Sequence, residues 1–133
     1  MNNSSIGKIA EMDFAKECIK RGIVPSMPLD DCGGYDFIIE KNGNLVKVQI
    51  KSTQTICTVK KCYRIAVQKG MNGGKSYSDS DFDILSIYIH DLNIWYHMPN
   101  SKVKARSIAL RPHNPKTKYE IYRNWEAIYL LLR

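Results

Sequence analysis

The sequence predicts an α/β (α+β) fold in which a β-sheet is flanked by an N-terminal and a C-terminal helix. Three features of the sequence support this prediction. Residues 5–21 and 117–132 repeat apolar side chains at helical spacing, one stretch near each end of the chain. Residues 35–39 and 45–52 have the composition of strands, and the second stretch alternates apolar with polar side chains.

The first helix is predicted to end at Gly22, which suits the left-handed conformation at a helix C-terminus, and Pro25 prevents its continuation. On a helical wheel its apolar side contains one carboxylate, Glu11. A charged group against a core is costly unless it is paired, protonated or bound to a cation. Glu11 is therefore a candidate functional residue.

The dipeptide Asn42-Gly43 separates the two predicted strands and is a strong signal for a two-residue hairpin turn. Antiparallel pairing about Gly43 places Asp36 opposite about position 50 of the second strand. Gln49 and Lys51 lie on either side of that position, on the strand face opposite the apolar side chains. The hairpin is therefore expected to bring a carboxylate, an amide and an amine together.

Beyond the hairpin, residues 62–68 are predicted to form a third strand and residues 69–81 a polar, glycine-rich loop. Residues 83–89 and 94–98 are predicted to pair as a second hairpin. Residues 99–118 form a basic segment that is expected to have little core character. The last helix is predicted to start at the capping-box residues Thr117 and Glu120. Its core residues are expected to be Ile121, Tyr122, Trp125, Ile128, Tyr129 and Leu132.

The composition indicates a single domain, residues 1–133, with a polyanionic partner. The net charge is +7 and the pI is near 9.3, and nucleic acid is favoured over a membrane because no long basic amphipathic helix is evident. Four cysteines without a CxxC pair make free thiols expected and a zinc site unexpected. Without a signal pattern or a spanning apolar run, a cytoplasmic, intracellular location is expected.

Glu11, Asp36 and the stretch Gln49-Ile50-Lys51 resemble the motif of the PD-(D/E)xK nuclease superfamily. In that motif an Asp on one strand is followed, on the next strand, by an acidic residue and a Lys separated by one position. Gln49 stands where the acidic residue usually lies. The chain is similar to the small homing endonucleases of group I introns in its size and in this Gln-x-Lys form. The resemblance implies a restriction-endonuclease-like core with a mixed central sheet.

The resemblance also implies a metal-dependent, site-specific endonuclease that hydrolyses phosphodiester bonds of double-stranded DNA. The Asp36 and Glu11 carboxylates and the Ile50 backbone carbonyl would bind Mg²⁺, or Mn²⁺, through hard oxygen ligands. Lys51 would orient or deprotonate the attacking water, or stabilise the transition state. Gln49 offers an amide oxygen without negative charge, which favours a single metal ion.

The expected partner is double-stranded DNA, bound by a homodimer or homotetramer, because cutting both strands at one site favours symmetric copies. A nucleoid-associated location goes with such a partner. Candidate phosphate contacts are Lys60, Lys61, Lys69, Lys75, Lys102, Lys104 and Arg106. Two other functions are compatible with the sequence: a structure-selective junction-resolving nuclease that uses the same site, and a basic nucleic-acid-binding module whose catalytic site is degenerate.

Overall fold

A computed structural model describes residues 2–30, 33–54, 56–57, 61–68, 77–78, 80–103 and 105–132 of the chain. The helices are α1 (Asn3–Lys20) and α2 (Glu126–Leu131), with 3-10 turns at Asn100–Lys102 and Glu120–Tyr122. The strands are β1 (Val24–Ser26), β2 (Phe37–Lys41), β3 (Asn44–Thr53), β4 (Ile56–Cys57), β5 (Cys62–Ala66), β6 (Ile84–Ile89), β7 (Ile94–Pro99) and β8 (Ser107–Leu110).

The strands form two sheets in the part of the chain that the structure describes. The central sheet has the order β1-β2-β3-β6-β7, and the second sheet has the order β4-β5-β8. The central sheet is mixed because β3 and β6 are parallel, whereas its other neighbouring strands are antiparallel. Residues of α1 and α2 pack in one cluster on one face of this sheet. The predicted fold, a mixed sheet flanked by an N-terminal and a C-terminal helix, is confirmed.

The first helix follows its local signals closely. The side chain of Asn2 accepts a hydrogen bond from the Ser5 N–H at 2.9 Å, so α1 begins two residues before the predicted start. The helix ends before Gly22, whose φ of 73° is left-handed as predicted. Its buried residues, Ile6, Ala10, Phe14 and Cys18, form one stripe that faces the sheet.

The hairpin between β2 and β3 is confirmed, with a register one residue away from the prediction. Asn42 and Gly43 both have positive φ, at 54° and 82°, as a two-residue hairpin turn requires. Lys41 pairs with Asn44, so the turn is centred between the two loop residues and not on the second one. Consequently Phe37 pairs with Val48, and the residue before β2 lies beside position 49 and not beside position 50.

The two faces of the central sheet carry separate apolar clusters. Val48 and Ile50 of β3 lie on the face toward α1, in a cluster with Phe14, Trp95 and Trp125. The opposite face carries a second cluster, formed mainly by β5 to β8 and including Leu85, Ile87, Tyr96, Met98, Ile108 and Leu110. Because strand side chains alternate, the odd-numbered residues of β3 point away from α1.

The second sheet corrects the prediction for the basic segment 99–118. This segment was expected to have little core character, yet it contains β8, in which Ile108 and Leu110 are buried. The strand is short and basic residues flank it, so the local composition hides its two apolar positions. The predicted strand 62–68 is confirmed as β5, which pairs with β8. Of the predicted loop 69–81, residues 69–76 and 79 lie outside the described residues.

The second predicted hairpin is confirmed, because β6 and β7 pair antiparallel from Ile84 opposite Pro99 to Ile89 opposite Ile94. The predicted helix 117–132 is wrong in its extent. A 3-10 turn and the left-handed residue Asn124, with φ at 72°, precede the short helix α2. The break persists because the Asn124 N–H donates to the Trp95 carbonyl of β7 at 2.8 Å.

The predicted capping box is also wrong. The Thr117 hydroxyl donates to the Asn114 carbonyl, and the Glu120 carboxylate binds the Tyr96 hydroxyl and Arg123. Among the residues predicted as core, Trp125, Ile128 and Leu132 are buried, and Tyr122 is partly buried. Ile121, in the 3-10 turn before α2, and Tyr129, in α2, are exposed, because the helix does not extend over both positions as predicted.

The thiol prediction is confirmed where the structure allows a test. Cys18 and Cys62 are buried free thiols, and burial raises the pKa of Cys18 to about 12. Cys32 lies outside the described residues. No helix within the described ranges has the length and apolar character needed to cross a membrane.

Candidate active site

Asp36 lies immediately before β2, and three hydrogen bonds fix it against β3. Its backbone N–H donates to the Val48 carbonyl at 2.8 Å. Its carboxylate oxygen Oδ2 accepts from the Ile50 N–H at 2.8 Å and from the Gln49 side-chain amide at 2.9 Å. The hairpin register thus determines where the carboxylate points, and one of its oxygens is held by two donors.

The environment of Asp36 opposes its ionisation. Burial raises the pKa of its carboxyl, and the nearby negative charge of Glu11 raises it further. The hydrogen bond from the Ile50 N–H and the positive charges of Lys51 and Lys8 act in the opposite direction. A cation bound beside Asp36 would relieve this cost, because it favours the charged form of a carboxyl group.

Glu11 reaches the same place from α1. Together with Asp36 it lines a cleft of about 340 Å³, whose other residues are Lys8, Met27, Pro28, Leu29, Asp30 and Tyr35. The Glu11 side chain is 20% exposed and forms an ion pair with Lys8 at 3.5 Å. Three carboxylates, those of Glu11, Asp30 and Asp36, therefore line one open cleft.

Lys51 approaches from β3 on the face away from α1. Its ammonium lies 5.5 Å from the centroid of the Tyr77 ring. Burial lowers the pKa of Lys51, and the negative charge of Asp36 partly offsets that effect. Burial also raises the pKa of Tyr77 to about 12, with smaller contributions from Asp36 and Asp81. Tyr77 is therefore a neutral aromatic neighbour of both Lys51 and Asp36.

The contact between Lys51 and Tyr77 depends on a close approach of two segments. A Cβ atom at Gly34 would lie 3.1 Å from the Asp81 carbonyl oxygen, so only glycine fits there without displacement. The segment before Asp36 can thus lie against the segment that ends at Asp81. Sequence reasoning did not assign Tyr77 to the site, because its contact with Lys51 forms only when two distant segments pack together.

Gln49 connects the groups that the sequence analysis put forward as metal ligands. Its side chain is buried, and its amide donates to the Asp36 carboxylate at 2.9 Å and to the Ile50 carbonyl at 3.2 Å. An acidic residue here would place a second negative charge beside Asp36. The neutral amide replaces that repulsion with a hydrogen bond, so Gln49 positions the carboxylate without adding charge.

The oxygen donors of this cluster suit Mg²⁺. The described residues contain no group of three or more His, Cys, Asp or Glu side chains that could hold a metal ion. The available donors are the two carboxylates, Asp36 and Glu11, with the Ile50 carbonyl beside them. Mg²⁺ prefers oxygen ligands and is commonly held by one or two carboxylates while it keeps several waters. The residues present therefore fit a hydrated magnesium ion.

The candidate phosphate contacts are only partly visible. Lys60, Lys69, Lys75 and Lys104 lie outside the described residues. Lys61 is exposed in the turn before β5, Arg106 is exposed just before β8, and Lys102 is exposed in the 3-10 turn after β7. The described members thus lie on the second sheet and at the end of the central sheet, and not beside Asp36 in the hairpin.

A family model described as PD-(D/E)XK endonuclease matches residues 1–131, and the chain belongs to this family. Protein 5.3 of Escherichia phage T7 is 31% identical over 85 residues, which cover 64% of this chain and 71% of that protein. The solved structure of a bacterial homing endonuclease, I-Ssp6803I, has a TM-score of 0.83 and 25% identity, covering 99% of this chain and 94% of that one. The resemblance and the fold class are confirmed, and the family is one of nucleases.

Proposed function

We propose that residues 1–133 form one nuclease domain that hydrolyses phosphodiester bonds of double-stranded DNA at a specific site and depends on a divalent metal ion. One observation carries the proposal. The Asp36 carboxylate is held by the Ile50 N–H and the Gln49 amide, in a cleft shared with Glu11 and beside the Lys51 ammonium. This is the set of groups that phosphodiester hydrolysis needs at one place.

Each group in the cluster would have its own role in hydrolysis. Asp36, Glu11 and the Ile50 carbonyl would hold Mg²⁺ or Mn²⁺, which when bound neutralises charge on the phosphate and lowers the pKa of water. Gln49 keeps the Asp36 carboxylate and the Ile50 carbonyl in position. Lys51 orients the attacking water, takes its proton or neutralises the developing charge. Its lowered pKa increases the small fraction of neutral amine that can accept a proton.

Two copies of the chain, or four, would act together on one target, because each copy presents one cluster of this kind and a duplex has two strands. Lys61, Lys102 and Arg106 are exposed and would contact DNA phosphates. Lys60, Lys69, Lys75 and Lys104, outside the described residues, are further candidates for phosphate contacts. An oligomer would be required for cutting both strands but not for binding DNA.

The test uses a pool of duplex DNA sites incubated with the protein and Mg²⁺ or a chelator. Wild type should cut with Mg²⁺ only, whereas Asp36→Ala and Lys51→Ala should not cut. Asp91→Ala and Lys116→Ala, at two exposed positions outside the cluster, are the matched controls and should cut like wild type. Equal cutting by wild type, Asp36→Ala and Lys51→Ala would show that the proposed site is wrong.

The same experiment separates the other two functions. DNA binding that is sensitive to salt but is never followed by Mg²⁺-dependent cutting would indicate a binding module with a degenerate site. Cutting of branched DNA in preference to linear duplexes, whatever their sequence, would indicate a junction-resolving nuclease.

A further inference from the structure

A second cleft lies beyond the C-terminal end of β7, an edge strand of the central sheet. Its lining residues are Ser101, Lys102, Lys118, Tyr119 and Tyr122, and we call it the tyrosine cleft. Its volume of about 320 Å³ is at the lower end of the range for small-ligand sites, roughly 300 to 1,000 Å³. It shares no residue with the cleft of Glu11 and Asp36.

The lysines of the tyrosine cleft carry charge that no acid neutralises in the described part of the chain. Lys102 and Lys118 are exposed and form no ion pair there. The three lysines of α1 differ, because each pairs with a carboxylate three residues away: Lys8, Lys16 and Lys20 with Glu11, Asp13 and Glu17. The tyrosine cleft therefore presents two positive charges to an anion.

The nearest carboxylate does not cancel this charge. Glu120 lies in the same 3-10 turn as Tyr122, yet its side chain is 8% exposed and pairs with Arg123 at 3.2 Å. It also accepts a hydrogen bond from the Tyr96 hydroxyl. With its charge satisfied by Arg123, Glu120 does not oppose an anion bound by the lysines.

The aromatic rings are fixed in place beside the charges. Lys118 holds its ammonium 4.9 Å from the centroid of the Tyr119 ring, so that ring supports the lysine at the cleft. Both tyrosines are partly buried against the second apolar cluster. The Tyr122 N–H donates to the Tyr119 carbonyl at 3.0 Å, which fixes the turn that carries both rings. The backbone of the turn and packing against the second apolar cluster therefore place both rings at the cleft.

The tyrosine cleft is connected to the candidate active site. Asn100, next to Ser101, donates from its side chain to the Ser78 carbonyl at 3.1 Å and to the Phe82 carbonyl at 2.7 Å. The same segment begins at Tyr77, which contacts Lys51. In the sheet order, β7 lies two strands from β3, a separation of roughly 10 Å at the usual strand spacing.

We propose that the tyrosine cleft binds one unpaired nucleotide of a DNA strand, with the base against Tyr122 and the flanking phosphates on Lys102 and Lys118. Aromatic side chains beside a positive groove are the usual means of holding single strands, because every base has a face that can stack. Bases within a continuous duplex are stacked on one another and cannot enter. The cleft would therefore take a nucleotide that is displaced from the duplex near the cut, an inference that rests on the proposed function for the cut itself.

The test measures binding in a chelator, so that it does not depend on cleavage. Fluorescence anisotropy compares a labelled oligothymidylate with a blunt duplex of equal length. Tyr122→Ala should weaken single-strand binding about 5- to 100-fold, the range for loss of one stacked base, and duplex binding less than about twofold. Tyr122→Phe should bind like wild type, because it keeps the ring.

The lysines provide a second, independent measurement. The double variant Lys102→Ala/Lys118→Ala should reduce the salt dependence of single-strand binding by about 1.4 in the logarithmic slope, at roughly 0.7 per phosphate. Lys116→Ala, at an exposed lysine that does not line the cleft, is the control and should leave the slope unchanged. Both lysines of the double variant are exposed, so its folding should match wild type by circular dichroism.

Equal losses for single strands and duplexes in Tyr122→Ala would overturn the proposal, since the ring would then not distinguish an unpaired base from a paired one. Unchanged single-strand binding in the double variant would also overturn it. Selective single-strand binding through the cleft, in a protein that never cuts DNA with Mg²⁺, would support the cleft and refute the proposed nuclease activity. Failure of the cleft proposal and failure of the proposed nuclease activity therefore give different results.

Discussion

The two faces of β3 show how one strand can stabilise the fold and hold reactive groups. On the face toward α1, Val48 is fully buried and Ile50 is 7% exposed, within an apolar cluster. On the other face, Gln49 is buried and Lys51 is half-buried next to the Asp36 carboxylate. The first face lowers the free energy of the native state, whereas the second face keeps charged groups where their charged forms are disfavoured.

Two carboxylates of α1 differ in the same way. Asp13 accepts a hydrogen bond from the Trp95 indole N–H at 2.8 Å and pairs with Lys16 at 3.0 Å, so it ties the helix to the sheet. Glu11 faces the cleft of Asp36 and pairs with Lys8 at the longer distance of 3.5 Å. Asp13 therefore stabilises the fold, whereas Glu11 faces a cleft in which a cation could bind.

The largest expected effect is a loss of cleavage rate when Lys51, on the polar face of β3, is substituted. Lys51→Met should reduce the cleavage rate about 10²- to 10⁴-fold, the usual contribution of a positioned acid or base. DNA binding in a chelator should change little, since Lys51 is half-buried. Single-turnover cleavage with Mg²⁺ measures the effect. Lys116→Met, at an exposed lysine outside the cluster, is the control, and equal losses in the two variants would contradict the assigned role.

A substitution on the apolar face of β3 should lower the stability of the fold without changing the rate of cleavage. Val48→Ala removes two buried methyl groups and leaves a cavity, so the free energy of unfolding should fall by about 2–3 kcal/mol. Urea denaturation measures this change. At a temperature where the variant is fully folded, its cleavage rate should be close to that of wild type, and a large loss of rate would show that the two faces are coupled.

Gln49→Glu should make folding depend more strongly on Mg²⁺. The new carboxylate lies where the amide now donates to Asp36 at 2.9 Å, so the two charges repel without a cation and are relieved by one. The difference in Tm between Mg²⁺ and chelator should exceed that of wild type by about 4 °C for each 1 kcal/mol of added metal stabilisation. Gln54→Glu, at an exposed position, should behave like wild type, and an equal shift there would assign the effect to net charge.

The smallest expected effect is the pH dependence caused by Asp36. Burial raises the pKa of this carboxyl, so the native state binds its proton more tightly than the unfolded chain does. Ionisation of Asp36 therefore costs stability at neutral pH, and that cost disappears as the pH falls through the raised pKa. Cleavage should decline over the same acidic range, because the ionised carboxylate is the form that binds a metal ion.

The variant Asp36→Asn tests the direction of the pKa shift of Asp36 through its effect on stability. The variant cannot ionise, so its Tm at neutral pH should equal or exceed that of wild type by about 1–2 °C, while cleavage is lost. Its advantage should shrink as the pH falls, because wild-type Asp36 then becomes neutral as well. Thermal melts of both proteins across this range measure the difference, and a lower Tm for the variant at neutral pH would contradict the direction of the pKa shift.

Local signals in the sequence determined a large part of the fold. The end of α1 at Gly22, the turn at Asn42-Gly43 and the pairing of β6 with β7 were all predictable, because a glycine in the left-handed region, a turn dipeptide and strand periodicity act over a few residues. The same signals placed Asp36 within one residue of its partner on β3. The motif Gln49-Ile50-Lys51 was visible for the same reason.

Only the tertiary structure decided the features that depend on distant parts of the chain. Asn124 interrupts the predicted C-terminal helix because its N–H bonds to Trp95 of β7, and Tyr77 joins the candidate site because it packs over Lys51. The pairing of β5 with β8 and the assembly of the tyrosine cleft also join segments that are far apart in sequence. Local propensity cannot encode such contacts, since their free energy comes from burial and hydrogen bonding that exist only after the sheets have formed.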